Sequence, residues 1–338
     1  MEFSRVLIVG RGSIGRRHYN LAKSFFPQAT IAVFSSSSDQ DDFPLMLHTK
    51  CEISEFKPEI SVIANTADLH LEFAIFLAEL NSHLFIEKPI SINSVGIEIL
   101  CGEIERRKLQ VVVGYNLLYL PSLRLLHSLL ADQSIGRILD VRVQVGQDLR
   151  TWRPDRDYRS TASASKQKGG GVLRELSHEI SYVLSLFGAP TWIFAHLNKV
   201  SDLEIDVEDM AHILLGFKDD GGGAFTAKID LDFVRKDTVR NCTIIGTEGT
   251  LEWNGLTGEV HQDVGSEKQK IFGLGLTDSD VDTYRMEWED FLFSINAKSK
   301  LENVLENAIL TLRVIEACEE SDSRECRVFL NNQGGGFC

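Results

Sequence analysis

The feature that most constrains this chain is a spaced glycine triplet, Gly10-Arg-Gly12-Ser-Ile-Gly15, set directly after the apolar run VLIV at 6–9 and opening a helix-like stretch from Ser13 to Lys23. A strand that turns sharply into a helix needs glycine for three reasons. The turn itself is tight, a ligand's diphosphate approaches the backbone, and helix and strand pack closely. The unpaired N–H groups and positive end of the helix dipole then favour an anion. Alone the pattern is a generic turn, but between strand and helix it reads as a dinucleotide fingerprint. Gly10, Arg11, Gly12, Ser13, Ile14 and Gly15 are its candidate contacts.

The segments that follow repeat the same grammar. Apolar runs at 6–9, 30–34, 60–65, 83–87 and 111–114 alternate with helical spacing over 13–23, 68–80 and 94–108, Ser94 standing as an N-cap. Short, nearly continuous apolar strands separated by helices predict a parallel sheet covered on both faces. After Pro121 the pattern changes. A helix over 121–130 and a strand over 138–147 lead through a polar, Gly-rich stretch to a second helix over 171–186. From Thr191 to His261 several β-rich runs are broken by Gly, Asp and Asn clusters, which predicts a largely antiparallel sheet. Residues 263–280 read as a loop, 281–296 and 303–319 as closing helices. The expected fold is an α/β Rossmann domain over 1–120 and a C-terminal α+β domain over 121–330, with a disordered tail at 331–338.

Charge excludes one class of partner. A formal net charge of −14 over 338 residues repels polyanions, so no nucleic acid is expected. No stretch approaches the roughly 20 apolar residues that span a bilayer, and the N-terminus lacks a signal-peptide pattern, so the expectation is a cytoplasmic protein without membrane contact. The six cysteines show no Cys-x-x-Cys or Cys/His ligand spacing and read as free thiols.

Dinucleotide enzymes that use NAD commonly carry an acid about 20 residues past the glycines, on the ribose 2′-hydroxyl. Here the run is Ser35-Ser36-Ser37-Ser38. Without a carboxylate to repel a 2′-phosphate, Ser35, Ser36 and Arg11 suit NADP, while NAD with Asp39 on the ribose is the alternative. Asn65 and Thr66, with His70 beyond, close the third strand on the cofactor side. Lys88 ends a parallel strand, where ligands bind, and Pro89 keeps it extended. Its ammonium can hydrogen-bond a substrate hydroxyl or carbonyl; the plainer reading is a surface pair with Glu87. Glu175, His178 and Glu179 lie three and four residues apart, so one helical face sets an imidazole between carboxylates, an acid–base group or a surface ion pair. A cation there lacks a second histidine at ligand spacing, so no metal is expected. Trp152, Arg153, Arg156 and Tyr158 either grip a polar ligand or anchor their loop.

Several of these motifs occur in one order. The glycine motif runs on to His18, Asn65-Thr66 precedes His70, and Glu87-Lys88-Pro89 closes a strand. Gly169-Gly-Gly171-Val-Leu-Arg-Glu175-Leu-Ser-His178-Glu179 and Ile245-Gly246-Thr-Glu-Gly249-Thr250-Leu follow. Over about residues 5–320 the chain thus resembles the glucose-fructose oxidoreductase / inositol dehydrogenase / MocA (Gfo/Idh/MocA) family. Two positions depart from the pattern. Leu118 stands in Asn116-Leu-Leu118-Tyr-Leu-Pro121 where the family often has arginine, and Glu175 stands where aspartate is common. The resemblance implies an NAD(P)-dependent dehydrogenase or reductase acting on CH–OH groups of a sugar, sugar nucleotide or cyclitol. Lys88, His178 and Glu175 are its catalytic candidates, and Glu87 and Lys88 also face the cofactor. Asn116, Trp152 and Arg153 join Lys88, Glu175 and His178 as substrate contacts. A homodimer or homotetramer through the exposed face of the C-terminal sheet is implied as well. Two relatives' roles remain as alternatives: a non-catalytic dinucleotide sensor, as in the galactose-pathway repressor, and an NAD-dependent glycosidase.

Overall fold

The computed structural model describes residues 3–37, 43–154, 156–218, 222–265, 268–272, 281–297 and 304–330. Ser38, Asp39 and the tail 331–338 lie outside them. The first half of the chain runs β1 (Arg5–Val9), α1 (Ser13–Phe25), β2 (Thr30–Phe34), β3 (Met46–Leu47), α2 (Lys50–Phe56), β4 (Ile60–Ile63), α3 (His70–Glu79), β5 (His83–Glu87), α4 (Ile97–Arg107) and β6 (Val111–Gly114). All six strands are parallel, in the order β3-β2-β1-β4-β5-β6. The order reverses beside β1, and the crevice outside the strands' carboxyl ends at such a point is where α/β sheets bind ligands. One register row crosses the sheet there, Phe34–Val9–Ile63–Ile86–Val113. The turns after β1, β4 and β5 therefore emerge level with one another.

Three local features differ from the sequence reading, the first being strand β3, whose two residues are too few to carry a period. Helix α4 starts at Ile97 rather than at Ser94, with Gly96 in a left-handed conformation (φ 88°) at its cap. Helix α2 went unread because it spans seven residues, too few for periodicity to show. Its capping box is legible nonetheless: the Thr49 side chain accepts from the Glu52 amide and the Glu52 carboxylate accepts from the Thr49 amide.

The remaining elements are α5 (Pro121–Ala131), β7 (Ile138–Gly146), α6 (Val172–Glu175), α7 (His178–Phe187), β8 (Trp192–Asn198), β9 (Met210–Lys218), β10 (Ala224–Asp232), β11 (Val239–Gly246), β12 (Thr250–Asn254), β13 (Glu259–Asp263), β14 (Lys268–Phe272), α8 (Thr283–Ala297), α9 (Val304–Arg324) and β15 (Val328–Phe329). The second sheet has the order β14-β13-β12-β11-β7-β10-β9-β8-β15. Its β7–β10 pair is parallel and its other pairs are antiparallel. Strand β10 alternates as such a sheet should: Phe225, Ala227, Ile229 and Leu231 are buried, and Lys228 between them is exposed. Part of the segment read as a loop is strand β14, paired with β13; the rest of that segment past Phe272 lies outside the described residues.

Among the described residues, chain contacts give two compact units: 3–115 with Tyr284–Leu312, and Asn116–Thr283 with 313–330. The chain thus returns to the first unit after building the second sheet. Trp288, Phe291 and Ile295 of α8 join Val6, Ile8, Val33, Ile60, Val62 and Phe85 in one apolar core. Cys51, Cys242, Cys318 and Cys326 are free thiols, whereas Cys101 is disulfide-bonded, against the expectation of six free thiols.

Candidate functional site

The glycine turn of the first unit is built as its spacing requires. Gly10 sits at φ 110° and its amide donates to the Phe34 carbonyl at 2.9 Å, tying the turn to the end of β2. A Cβ on Gly15 would stand 2.0 Å from the Gly10 carbonyl oxygen, so only glycine lets α1 pack this closely. Gly12, by contrast, faces open space: a Cβ there meets nothing within 4 Å. It occupies the N-cap of α1 with no side-chain cap, and the first turn carries no acid. Open backbone amides at an uncapped helix start, with no carboxylate beside them, fit a diphosphate.

At the end of β2, Arg11 Nη2 donates to Ser37 Oγ at 3.1 Å, and the Ser37 amide donates to Ser35 Oγ at 3.3 Å. His48, which the sequence reading passed over, sets Nδ1 2.9 Å from the Ser35 carbonyl oxygen. Ser36 is exposed at the same turn. After β4, Thr66 is exposed, and the buried Asn65 Oδ1 has no hydrogen-bond partner among the described residues. Such an orphaned acceptor is costly unless a ligand or water meets it. His70 is 2% exposed, with Nδ1 2.7 Å from the Pro89 carbonyl oxygen and Nε2 3.2 Å from that of Asn65. Burial pulls its pKa below the usual 6.5 although both carbonyls oppose this. His70 therefore braces the turns after β4 and β5 from within. Lys88 is half-buried between buried Glu87 and Pro89 and joins Pro89 through a cis peptide bond. The Glu87 carboxylate accepts from His18 Nε2 at 2.7 Å in a buried bond.

In the second unit the glycine-led helix is not continuous. Glu175 ends α6 and His178 begins α7, with Leu176 and Ser177 breaking the helix between them. The spacing that set Glu175, His178 and Glu179 on one helical face is thus interrupted. Glu179 is fully buried and its Oε1 accepts from Arg240 Nε of β11 at 2.8 Å, which directs that carboxylate into the sheet. Glu175 and His178 are both half-buried. Glu208, missed in the sequence, holds the start of α6: its carbonyl accepts from the Val172 amide at 3.1 Å and its Oε1 from the Leu173 amide at 3.0 Å. Burial raises the Glu208 pKa against the bond from the Leu173 amide.

Asn116 follows β6 and donates from Nδ2 to Thr283 Oγ1 at 2.9 Å. Trp152 and Arg153 line a small pocket with Leu149, Tyr158, Thr161 and Ser163. The Trp152 ring packs edge-on against Phe233 at 5.0 Å, and its buried Nε1 has no acceptor among the described residues. Tyr158 serves its loop, since its hydroxyl oxygen accepts from the Glu204 amide at 3.2 Å.

Each unit matches a known family. The model of an oxidoreductase family with an NAD-binding Rossmann fold matches residues 4–115, and the GFO/IDH/MocA C-terminal domain matches residues 123–252. Glucose-6-phosphate 3-dehydrogenase of Bacillus subtilis (strain 168) is 26% identical over 195 residues, 54% of this chain and 53% of that protein. Trans-1,2-dihydrobenzene-1,2-diol dehydrogenase of Oryctolagus cuniculus is 23% identical over 196 residues, 57% and 55% of the two chains. The matches thus span little more than half of these relatives' length. Among solved structures, levoglucosan dehydrogenase in complex with NADH superposes with a TM-score of 0.81 at 20% identity, covering 96% of this chain and 98% of the other. Myo-inositol 2-dehydrogenase from Lactobacillus plantarum gives 0.78 at 16% identity, over 97% and 99%. At such identities the likeness is one of fold.

Proposed function

Because the chain belongs to the Gfo/Idh/MocA oxidoreductase family, we propose that it is an NAD(P)-dependent dehydrogenase or reductase acting on a CH–OH group of a sugar, sugar nucleotide or cyclitol. The observation that carries this reading is one edge of the parallel sheet. The open glycine turn after β1 and Lys88 after β5 emerge there at the same level. When bound, the nicotinamide cofactor supplies or accepts the hydride. Gly10 to Gly15 hold the diphosphate, Asn65, Thr66 and His70 flank the nicotinamide side, and Ser35, Ser36 and Arg11 meet the adenosine ribose. That last set, with Ser37 bonded to Arg11 and no carboxylate among its described residues, favours NADP over NAD.

The chain's own part in the chemistry is orientation and proton handling. The Lys88 ammonium hydrogen-bonds the substrate oxygen that gains or loses its proton, and His178 exchanges that proton, with Glu175 beside it in sequence as its carboxylate partner. Asn116, Trp152 and Arg153 contribute to substrate binding, with the Trp152 N–H as a donor awaiting an acceptor. Assembly as a homodimer or homotetramer belongs to the same reading. Among the described residues no helix is long and apolar enough to cross a membrane.

Substituting Lys88 by Met tests the proposal. Turnover of reduced nicotinamide in a screen of sugars, cyclitols and nucleotide sugars should fall by about 10²-fold or more, the scale of a lost proton-transfer group. Cofactor binding, followed by nicotinamide fluorescence, should persist, weakened by about tenfold through the lost contact at the nicotinamide end and not abolished. A K88M protein with undiminished turnover, or a wild-type protein that binds neither NADH nor NADPH, overturns it.

A further inference from the structure

The Glu87 side chain is held by a chain of hydrogen bonds that begins on a distant helix. Trp288 of α8 donates from Nε1 to His18 Nδ1 at 2.9 Å, and His18 Nε2 lies 2.7 Å from Glu87 Oε1. An indole nitrogen can only donate, so Nδ1 must accept and the ring proton must sit on Nε2, pointing at the carboxylate. Trp288 and His18 are both 0% exposed, and Glu87 is 8% exposed. The rings pack on one floor: His18 lies 4.7 Å from the Phe85 ring and Trp288 stacks on Phe85 at 5.7 Å. Strand β6 is cut back to admit the carboxylate, because Gly114 pairs with Glu87 and a Cβ there would lie 3.2 Å from Glu87 Oε2. Donor, relay, acceptor and space are thus all provided at the residue before Lys88.

We propose that Trp288 and His18 are positioning residues of the nicotinamide end of the first unit, acting through Glu87 to fix Lys88, so that α8 is part of the functional machinery. The proposal rests on the reading that Lys88 meets the nicotinamide and its substrate. A carboxylate locked at the last position of β5 fixes where that strand stops, and with it the backbone from which the lysine springs. Were the network only core filling, an apolar trio of the same volume would serve better, since every buried polar atom must be desolvated.

Two substitutions separate the relay from packing. His18→Gln keeps an N–H at the Nε2 position for Glu87, whereas His18→Asn keeps a polar atom at Nδ1 for Trp288 and falls short of the carboxylate. The readout is the ratio of NADH affinity to ADP-ribose affinity, and of NADPH to its 2′-phospho-ADP-ribose counterpart, by fluorescence and calorimetric titration. These pairs differ only by the nicotinamide. His18→Asn and Trp288→Phe should lower the ratio by about tenfold, the scale of one charge-assisted hydrogen bond. ADP-ribose affinity should stay within about twofold, and His18→Gln should keep the wild-type ratio within about threefold. Phe291→Leu, a cavity in the same core without a polar link, should melt lower and keep the ratio.

Equal ratios in His18→Asn and His18→Gln, or losses shared by both ligands, overturn the relay. If His18→Asn does not fold, nitrogen-15 spectra of the wild-type imidazole decide the tautomer, and a proton found on Nδ1 overturns it. A Lys88→Met protein that keeps the wild-type ratio overturns the placement of Lys88, whereas a lowered ratio there with unchanged His18→Asn and Trp288→Phe overturns the relay alone.

Discussion

Glu287 of α8 is 0% exposed, and neither carboxyl oxygen has a hydrogen-bond partner among the described residues. Burial, and then the charge of Glu87, push its pKa well above the ordinary 4.5. The unfolded chain releases this proton near pH 4.5 and the folded chain keeps it. Stability from this group is therefore complete below 4.5 and lost as pH rises toward the folded value, by at most about 1.4 kcal/mol per unit. Glu287→Gln cannot ionise, so it should be more stable than the wild type at pH 8 and nearly equal to it at pH 4.5. Urea melts at the two pH values check this, and an unchanged gap contradicts it. Asp148 behaves in the opposite sense. Burial raises its pKa, but bonds from Arg150 and Lys236 outweigh burial and bring it from 3.8 to about 2. Asp148→Asn should cost about 1–2 kcal/mol at pH 7, a difference that closes as the pH of the melts falls from 3.8 toward 2.

At the scale of an element, the glycine-led segment shows how a short helix is held in place. Four-residue α6 has too few internal bonds to stand alone. Gly171 enters it at φ 107°, and a Cβ there would lie 2.3 Å from Glu208 Oε1, the oxygen that bonds the Leu173 amide. Gly171→Ala should therefore cost about 1–3 kcal/mol through strain and a broken cap together. Glu208→Ala relieves the clash and leaves the strain, so the double variant should lose less than the sum of the singles by denaturant melts. Strict additivity would mean that the two residues act separately.

The whole molecule should respond to its cofactor by mass action. NADPH at about a hundredfold excess over its dissociation constant should add about 2.7 kcal/mol of stability. NADH at the same concentration should add less, if Arg11 and the serine turn favour the 2′-phosphate. Thermal melts with each nucleotide measure this, and equal shifts would remove the NADP preference. Much of this organisation was legible beforehand. The glycine spacing, the buried strands from 6 to 114 and the β-rich run from Thr191 announced both sheets, because strand period and turn chemistry are written in neighbouring residues. Lys88 was legible for the same reason, as a strand end before proline.

What the sequence determined by itself was local: where most of the strands run, where the glycine turn lies, and which family the motifs resemble. Only the tertiary structure decided that Trp288 returns to His18 across 270 positions, that Glu179 meets Arg240 of β11, and that Glu208 holds α6. Helical spacing names the residues that could meet along one element, but the partner of a buried polar group is chosen by which surfaces the chain folds together, and that choice leaves no period in the sequence.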